Sequence, residues 1–126
     1  MDISLTNREA SLMEVLWEHG ASTVAEVREH LDDELAYTTV LTILRNLEAK
    51  GFVSHDEEGR AHRYFSLIER DHAQRSALQA LTEKLFQGST ELLLTRLVAD
   101  RKLSKSEVGR IRELLDEQPG KKGGKS

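Results

Sequence analysis

Ala36-Tyr37-Thr38-Thr39-Val40-Leu41-Thr42-Ile43-Leu44-Arg45-Asn46-Leu47-Glu48-Ala49-Lys50, closed by Gly51-Phe52, is the stretch whose reading decides the fold. It reads as one short helix with two unlike faces. Val40, Ile43, Leu44 and Leu47 recur at three- and four-residue steps and form a stripe that seats against a core. Tyr37, Thr38, Leu41, Thr42 and Arg45 line another stripe, built mostly from short hydrogen-bonding side chains and one guanidinium. An idle surface helix is normally laced with Glu/Lys pairs; threonines are poor helix formers and give such a surface nothing. In a DNA groove, by contrast, threonine, asparagine and arginine close to the backbone reach base edges and phosphates.

The chain before this helix supplies two more. Thr6-Asn7-Arg8-Glu9 is a capping box opening a helix that turns Leu12, Met13, Leu16 and Trp17 inward and stops at Gly20. Thr23-Val24-Ala25-Glu26 repeats the device, with Val24, Val27 and Leu31 inward and an expected end in the acidic stretch Asp32-Asp33-Glu34. After Gly51 the period changes to two. Phe52-Val53-Ser54-His55, a polar turn at Asp56-Glu57-Glu58-Gly59, and Arg60 to Leu67 read as a β-hairpin. Three helices and a hairpin within about seventy residues is the order of a winged helix-turn-helix.

From Asp71 the helical period returns, with Ala77, Leu78, Leu81, Leu85 and Phe86 on one stripe as far as Gly88. Leu92, Leu93, Leu94, Leu97 and Val98 make a second apolar segment. Ser104-Lys105-Ser106-Glu107 caps a third helix with Val108, Ile111, Leu114 and Leu115 inward. Three short helices with leucine-rich faces do not close a core alone, so two chains are expected to supply it jointly. The expected dimerisation residues are Leu78, Leu81, Leu85, Leu93, Leu94, Leu97, Val98, Val108, Ile111, Leu114 and Leu115. The fold expected is mainly α: a winged helix-turn-helix over 1–69, a helical dimerisation arm of three helices over 70–118, and a flexible basic tail over 119–126.

Composition narrows the function. Of 126 residues, 38% are hydrophobic and 32% charged, with no long apolar run, which excludes a membrane span. Met1-Asp2-Ile3-Ser4 has neither the basic start nor the apolar stretch of a signal peptide, so a soluble cytoplasmic protein is expected. The absence of cysteine excludes disulfides and thiolate metal sites. Residues 1–69 hold 14 acidic and 6 basic side chains, a net of −8, against 8 and 12, a net of +4, in residues 70–126. DNA affinity in the first half therefore has to come from local clusters such as Arg45 and Lys50 in the helix and Arg60 and Arg63 after it.

Of the histidines at 19, 30, 55, 62 and 72, only His55 and His62 are placed to meet, across the hairpin and near Asp56 or Glu57. No pair has a recognised ligand spacing, so solvated histidines are favoured and neither metal nor cofactor is expected. Alternation sends Arg60, His62 and Tyr64 to one hairpin face and Ala61, Arg63 and Phe65 to the other, with Arg63 long enough to reach outward. There is no Gly-rich phosphate loop and no Ser/His/Asp set in a motif context, so an enzyme is not expected.

Together these residues resemble the penicillinase repressor family, which includes methicillin-resistance and copper-responsive repressors. The likeness runs over roughly residues 4–117. It is carried by Glu9…Leu12-Met13…Leu16-Trp17, by Tyr37-Thr38-Thr39-Val40…Thr42…Leu44…Leu47, by Lys50-Gly51-Phe52-Val53 and by Ala61-His62-Arg63-Tyr64. The resemblance implies a homodimeric repressor on a palindromic DNA operator, with the third helix in the major groove and the wing, here Arg60, His62 and Arg63, on the backbone. Carried over by position, Thr38, Thr39, Leu41, Thr42 and Asn46 fall on DNA-contacting positions; Leu41 stands for an arginine and Thr38 for a lysine of relatives. β-Lactam-responsive relatives are released when a membrane metalloprotease sensor leads to cleavage of an Asn-Phe bond; the aligned pair here is Arg96-Leu97. The copper-responsive branch uses a cysteine-rich site that this chain lacks. A winged-helix module binding a basic protein partner is the rival reading, and a small histidine-based sensor enzyme the second.

Overall fold

A computed structural model describes residues 3–100 and 102–118. The elements follow in the order α1 (Asn7–His19), β1 (Ser22–Thr23), α2 (Val24–His30), α3 (Tyr37–Ala49), β2 (Val53–Glu58), β3 (Ala61–Ser66), α4 (Arg70–Leu85), α5 (Thr90–Asp100) and α6 (Lys105–Glu117). They form two compact units that divide between Leu81 and Thr82, inside α4 rather than at 69/70. The first turns of α4 belong to the first unit because Ala73 is buried in its core and Ser76 Oγ accepts the Ile3 N–H. The expected basic tail lies outside the described residues.

Local chemistry sets the helix starts. At α1, Thr6 Oγ1 accepts from the Glu9 N–H at 3.2 Å while Glu9 Oε1 accepts from the Thr6 N–H at 2.9 Å. Thr23/Glu26 and Ser104/Glu107 form the same reciprocal pair at α2 and α6. Gly20 ends α1 at φ +79°, a conformation L side chains rarely adopt, and its N–H bonds the Leu16 carbonyl. α2 stops at His30 with Leu31 as its cap, so Asp32-Asp33-Glu34 lies beyond the helix instead of ending it. Carboxylates in a last turn oppose the helix dipole, and the chain leaves before reaching them.

The core of the first unit is where α3 acquires its orientation. Val40, Leu44 and Leu47 are fully buried among Leu12, Met13, Val27 and Tyr64. Ile43 is only half-buried, and Leu41, expected on the other stripe, also packs half-buried against this core. Val15 joins the buried face of α1, and Trp17 sits at its margin, its indole N–H donating to the Ile68 carbonyl at 2.9 Å and to Ser66 Oγ at 3.2 Å.

The sheet has the order β1-β3-β2, all antiparallel. β1 was not expected: two residues are too few to show alternation, and its pairing of Ser22 with Tyr64 and Thr23 with Arg63 is a long-range event. The hairpin turn also sits later than the acidic run implied. Asp56-Glu57-Glu58 remains in β2, opposite Arg63, His62 and Ala61, and the turn is Gly59-Arg60. Opposite charges across the strands and Gly59 at φ +64° together favour this two-residue turn.

In the second unit α5 buries Leu93, while α6 buries nothing. Leu85, Leu92, Leu94, Leu97, Val98, Ile111, Leu114 and Leu115 are exposed in the single chain, and Val108 is half-buried. Most of the expected dimerisation residues are therefore open within one copy, Leu93 and Val108 excepted. Leu78 and Leu81 of α4, in the first unit, are exposed as well.

Candidate nucleic-acid interface

Seating Val40, Leu44 and Leu47 in the core turns the opposite arc of α3 to solvent. Thr38, Thr42, Arg45 and Asn46 are exposed on that arc, with Thr39 half-buried at its edge and no carboxylate among them. Thr42 Oγ1 donates to the Thr38 carbonyl at 2.9 Å, so its hydroxyl is fixed in orientation with its lone pairs outward. Thr38, Thr39, Thr42, Ile43 and Asn46 line one shallow concavity with Thr6, Arg8 and the Lys50-paired Glu9 at the start of α1. Arg8 is a charged neighbour that the sequence did not single out. Its helical position was legible, but its closeness to α3 depends on how α1 packs.

Tyr37, Leu41 and Arg45 stand toward the hairpin side. Arg45 lies beside the Tyr64 phenol, whose pKa burial pushes up; Glu48 adds to that push and Arg45 opposes it. Tyr64 itself is a fully buried link between β3 and α3. Leu41 is shared between core and surface, so its apolar contribution to the outward arc is partial.

Two of the expected phosphate-binding cations, Lys50 and Arg63, have carboxylate partners within the chain. Lys50 Nζ bonds both oxygens of Glu9, at 2.8 and 2.9 Å. Burial pushes the Glu9 carboxyl up, but Lys50 and the Thr6 backbone N–H outweigh it and hold the group below its ordinary value. Arg63 donates to Glu26 Oε1 at 3.0 Å and to the Ala21 carbonyl at 3.2 Å, and Glu58 lies 3.5 Å from its Nε. The Thr23 backbone N–H and then Arg63 keep Glu26 below its ordinary value. Arg63 thus ties the wing to α2 rather than reaching outward. Its pairing with Thr23 in β1 brings it beside the Glu26 and Glu58 carboxylates. Arg60 is exposed at the hairpin turn.

His55, Glu57 and His62 share one face of the hairpin. The rings of His55 and His62 stack with centroids 4.6 Å apart, and His55 Nδ1 meets the Glu48 carboxylate at 2.7 Å. Arg96 and Leu97, the pair expected from the resemblance to stand at a cleavage bond, are exposed but helical within α5. Among the described residues no helix is long and apolar enough to cross a membrane.

Residues 5–117 match the family described as penicillinase repressor. The transcriptional regulator BlaI of Mycobacterium tuberculosis is 32% identical over 117 residues, covering 90% of this chain and 83% of that one. The penicillinase repressor of Bacillus licheniformis is 22% identical over 120 residues, 94% of each chain. The methicillin resistance regulatory protein MecI of Mammaliicoccus sciuri is 20% identical, over 90% of this chain and 94% of that one. In structure, the transcriptional regulator Tm0710 from Thermotoga maritima overlays with a TM-score of 0.53 at 17% identity, covering 89% of this chain and 72% of its own. A MarR family protein from Bacillus stearothermophilus gives 0.50 at 19%, over 91% and 73%. At these identities the structural likeness concerns the winged-helix fold.

Proposed function

The chain belongs to the penicillinase repressor family and is a DNA-binding transcriptional repressor; from that premise we propose that it works as a homodimer on a palindromic operator. The observation that carries the reading is the pairing of a carboxylate-free, threonine-rich outward arc on α3 with an uncovered apolar surface on later helices. Thr38, Thr39, Thr42 and Asn46 read base edges in the major groove, and Arg45, Arg60 and Arg8 hold phosphates. With leucine and threonine where relatives carry charge, this helix relies on hydroxyl and amide contacts more than on guanidinium contacts.

The dimer is supported by where apolar surface lies. Among the described residues, ten of the twelve exposed large apolar side chains fall on α4, α5 and α6, Leu78 to Leu115. A monomer rarely leaves that much leucine uncovered, and a two-fold partner covers it with the same residues. Two linked reading heads then engage two half-sites about 34 Å apart, which multiplies affinity. Repression is occlusion of a promoter, in the cytoplasm. Release follows from separating the dimer; cleavage at Arg96-Leu97 by a sensor-linked protease requires that turn of α5 to unwind first.

The test is selection of bound sequences from random duplex DNA by the full chain. An enriched inverted repeat is expected. Absence of any enriched sequence at moderate salt contradicts the reading and favours a module that binds a basic protein.

A further inference from the structure

We propose that the wing carries a site for one zinc-class divalent transition metal ion, formed by His55, Glu57 and His62. One ligand atom from each of these residues lies within 4.8 Å of the other two. The strand register places them there: Glu57 pairs directly with His62, and His55 precedes Glu57 by two residues on the same face. Tetrahedral ligands about 2.0–2.1 Å from a metal stand about 3.3 Å apart, so closing the site takes rotation of the exposed His62 and Glu57 side chains, which opens the His55–His62 ring stack. Two imidazoles and a carboxylate are a donor set for zinc and its neighbours rather than for magnesium or calcium.

A second observation points the same way. His55 Nδ1 is engaged by the Glu48 carboxylate, at 2.7 and 3.0 Å to its two oxygens, which leaves Nε2 for a ligand. A carboxylate bonded to the far nitrogen of a histidine fixes the ring and raises its basicity toward a metal. Glu48 is thus a positioning residue, and it stands on α3, the helix that carries the threonine arc. An ion at this place clips β2 to β3 and, through Glu48, both strands to α3. It also offsets the row Asp56-Glu57-Glu58, which sets carboxylates on a hairpin assigned to the DNA backbone. Metal occupancy therefore strengthens DNA binding, a consequence that rests on the repressor reading; the site itself does not.

Zinc uptake by the full chain, measured by competition with a chromogenic chelator and by the visible spectrum of the Co2+ form, tests the site without DNA. One ion per chain is expected. His62→Ala and Glu57→Gln should each weaken uptake at least tenfold, and Glu48→Gln about tenfold with an altered Co2+ spectrum. Glu58→Gln, and the double variant His19→Ala/His30→Ala, should stay within about twofold. No saturable uptake, or uptake lost with His19 and His30 but kept in His62→Ala, overturns the proposal. In a separate arm, Zn2+ should raise the DNA affinity of the wild type severalfold, with that ratio falling to about one in His62→Ala. Uptake without any change in DNA affinity overturns the coupling, whereas failure to bind DNA with or without Zn2+ counts against the repressor reading alone.

Discussion

The winged-helix unit and the helices beyond it draw on the same residues, leucine and valine at three- and four-residue steps, and use them differently. In the first unit Leu12, Leu44 and Leu47 have no exposure at all, because α1, α2, α3 and the sheet converge on them. In α5 and α6 the equivalent side chains stay open: Leu114 is 67% exposed and Val98 62%. An amphipathic pattern fixes which face of a helix seeks cover but not where the cover comes from. Where the chain supplies it, the opposite face is presented in one fixed orientation, and α3 can read DNA. Where it does not, the face stays open, and the proposed dimer would cover it with a second copy.

That contrast gives predictions of decreasing size. Leu44→Ala should destabilise the first unit by about 3 kcal/mol, read from urea denaturation, since the core around it is closed and relaxes little. Leu114→Ala should cost far less in a chain diluted to monomer; equal losses at both positions would erase the distinction between the units. Next, Leu97→Glu combined with Leu114→Glu should halve the mass seen in sedimentation and lower operator affinity on the order of a hundredfold, with the first unit's unfolding unchanged. A full-size dimer in that variant would place the interface elsewhere.

The Lys50–Glu9 pair tests the interior of the first unit. Lys50→Ala leaves the Glu9 carboxylate buried with one partner fewer and should cost about 1–2 kcal/mol, limited because Lys50 is partly open to solvent. The pKa of Glu9 is depressed in the fold, so its contribution is present above the ordinary glutamate range and is lost as pH falls through the folded value. The gap between wild type and Lys50→Ala should therefore close in acid; a gap that widens would contradict the pairing. Smallest in energy is Thr42→Ala, which should shift base preference at one operator position by about 1 kcal/mol without loss of fold stability. A uniform loss across all sequences would assign Thr42 to the backbone instead.

Much of this was legible in the sequence because it is local. The capping boxes at Thr6, Thr23 and Ser104 depend on residues three apart, and each forms as its spacing implies. Three of the four residues expected in the buried stripe of α3, Val40, Leu44 and Leu47, likewise follow from period alone, while Ile43 is only half-buried. Partners distant in the chain were not legible. Arg63 and Lys50 looked like phosphate ligands, but their carboxylates lie 37 and 41 residues away, brought near only by packing. β1 was too short to announce itself, and Leu41 could not be divided between core and surface until the neighbours of α3 were fixed. The meeting of His55 and His62 was legible only as a possibility of the hairpin, and the register of β2 with β3 makes it a cluster.

The central claim is that the outward arc of α3, doubled by a second copy, occupies DNA. Footprinting of the full chain on the DNA upstream of its own coding sequence tests this most directly. Two protected half-sites in inverted orientation, about one helical turn apart centre to centre, are predicted. Protection of a single half-site, or none at moderate salt, would contradict the account.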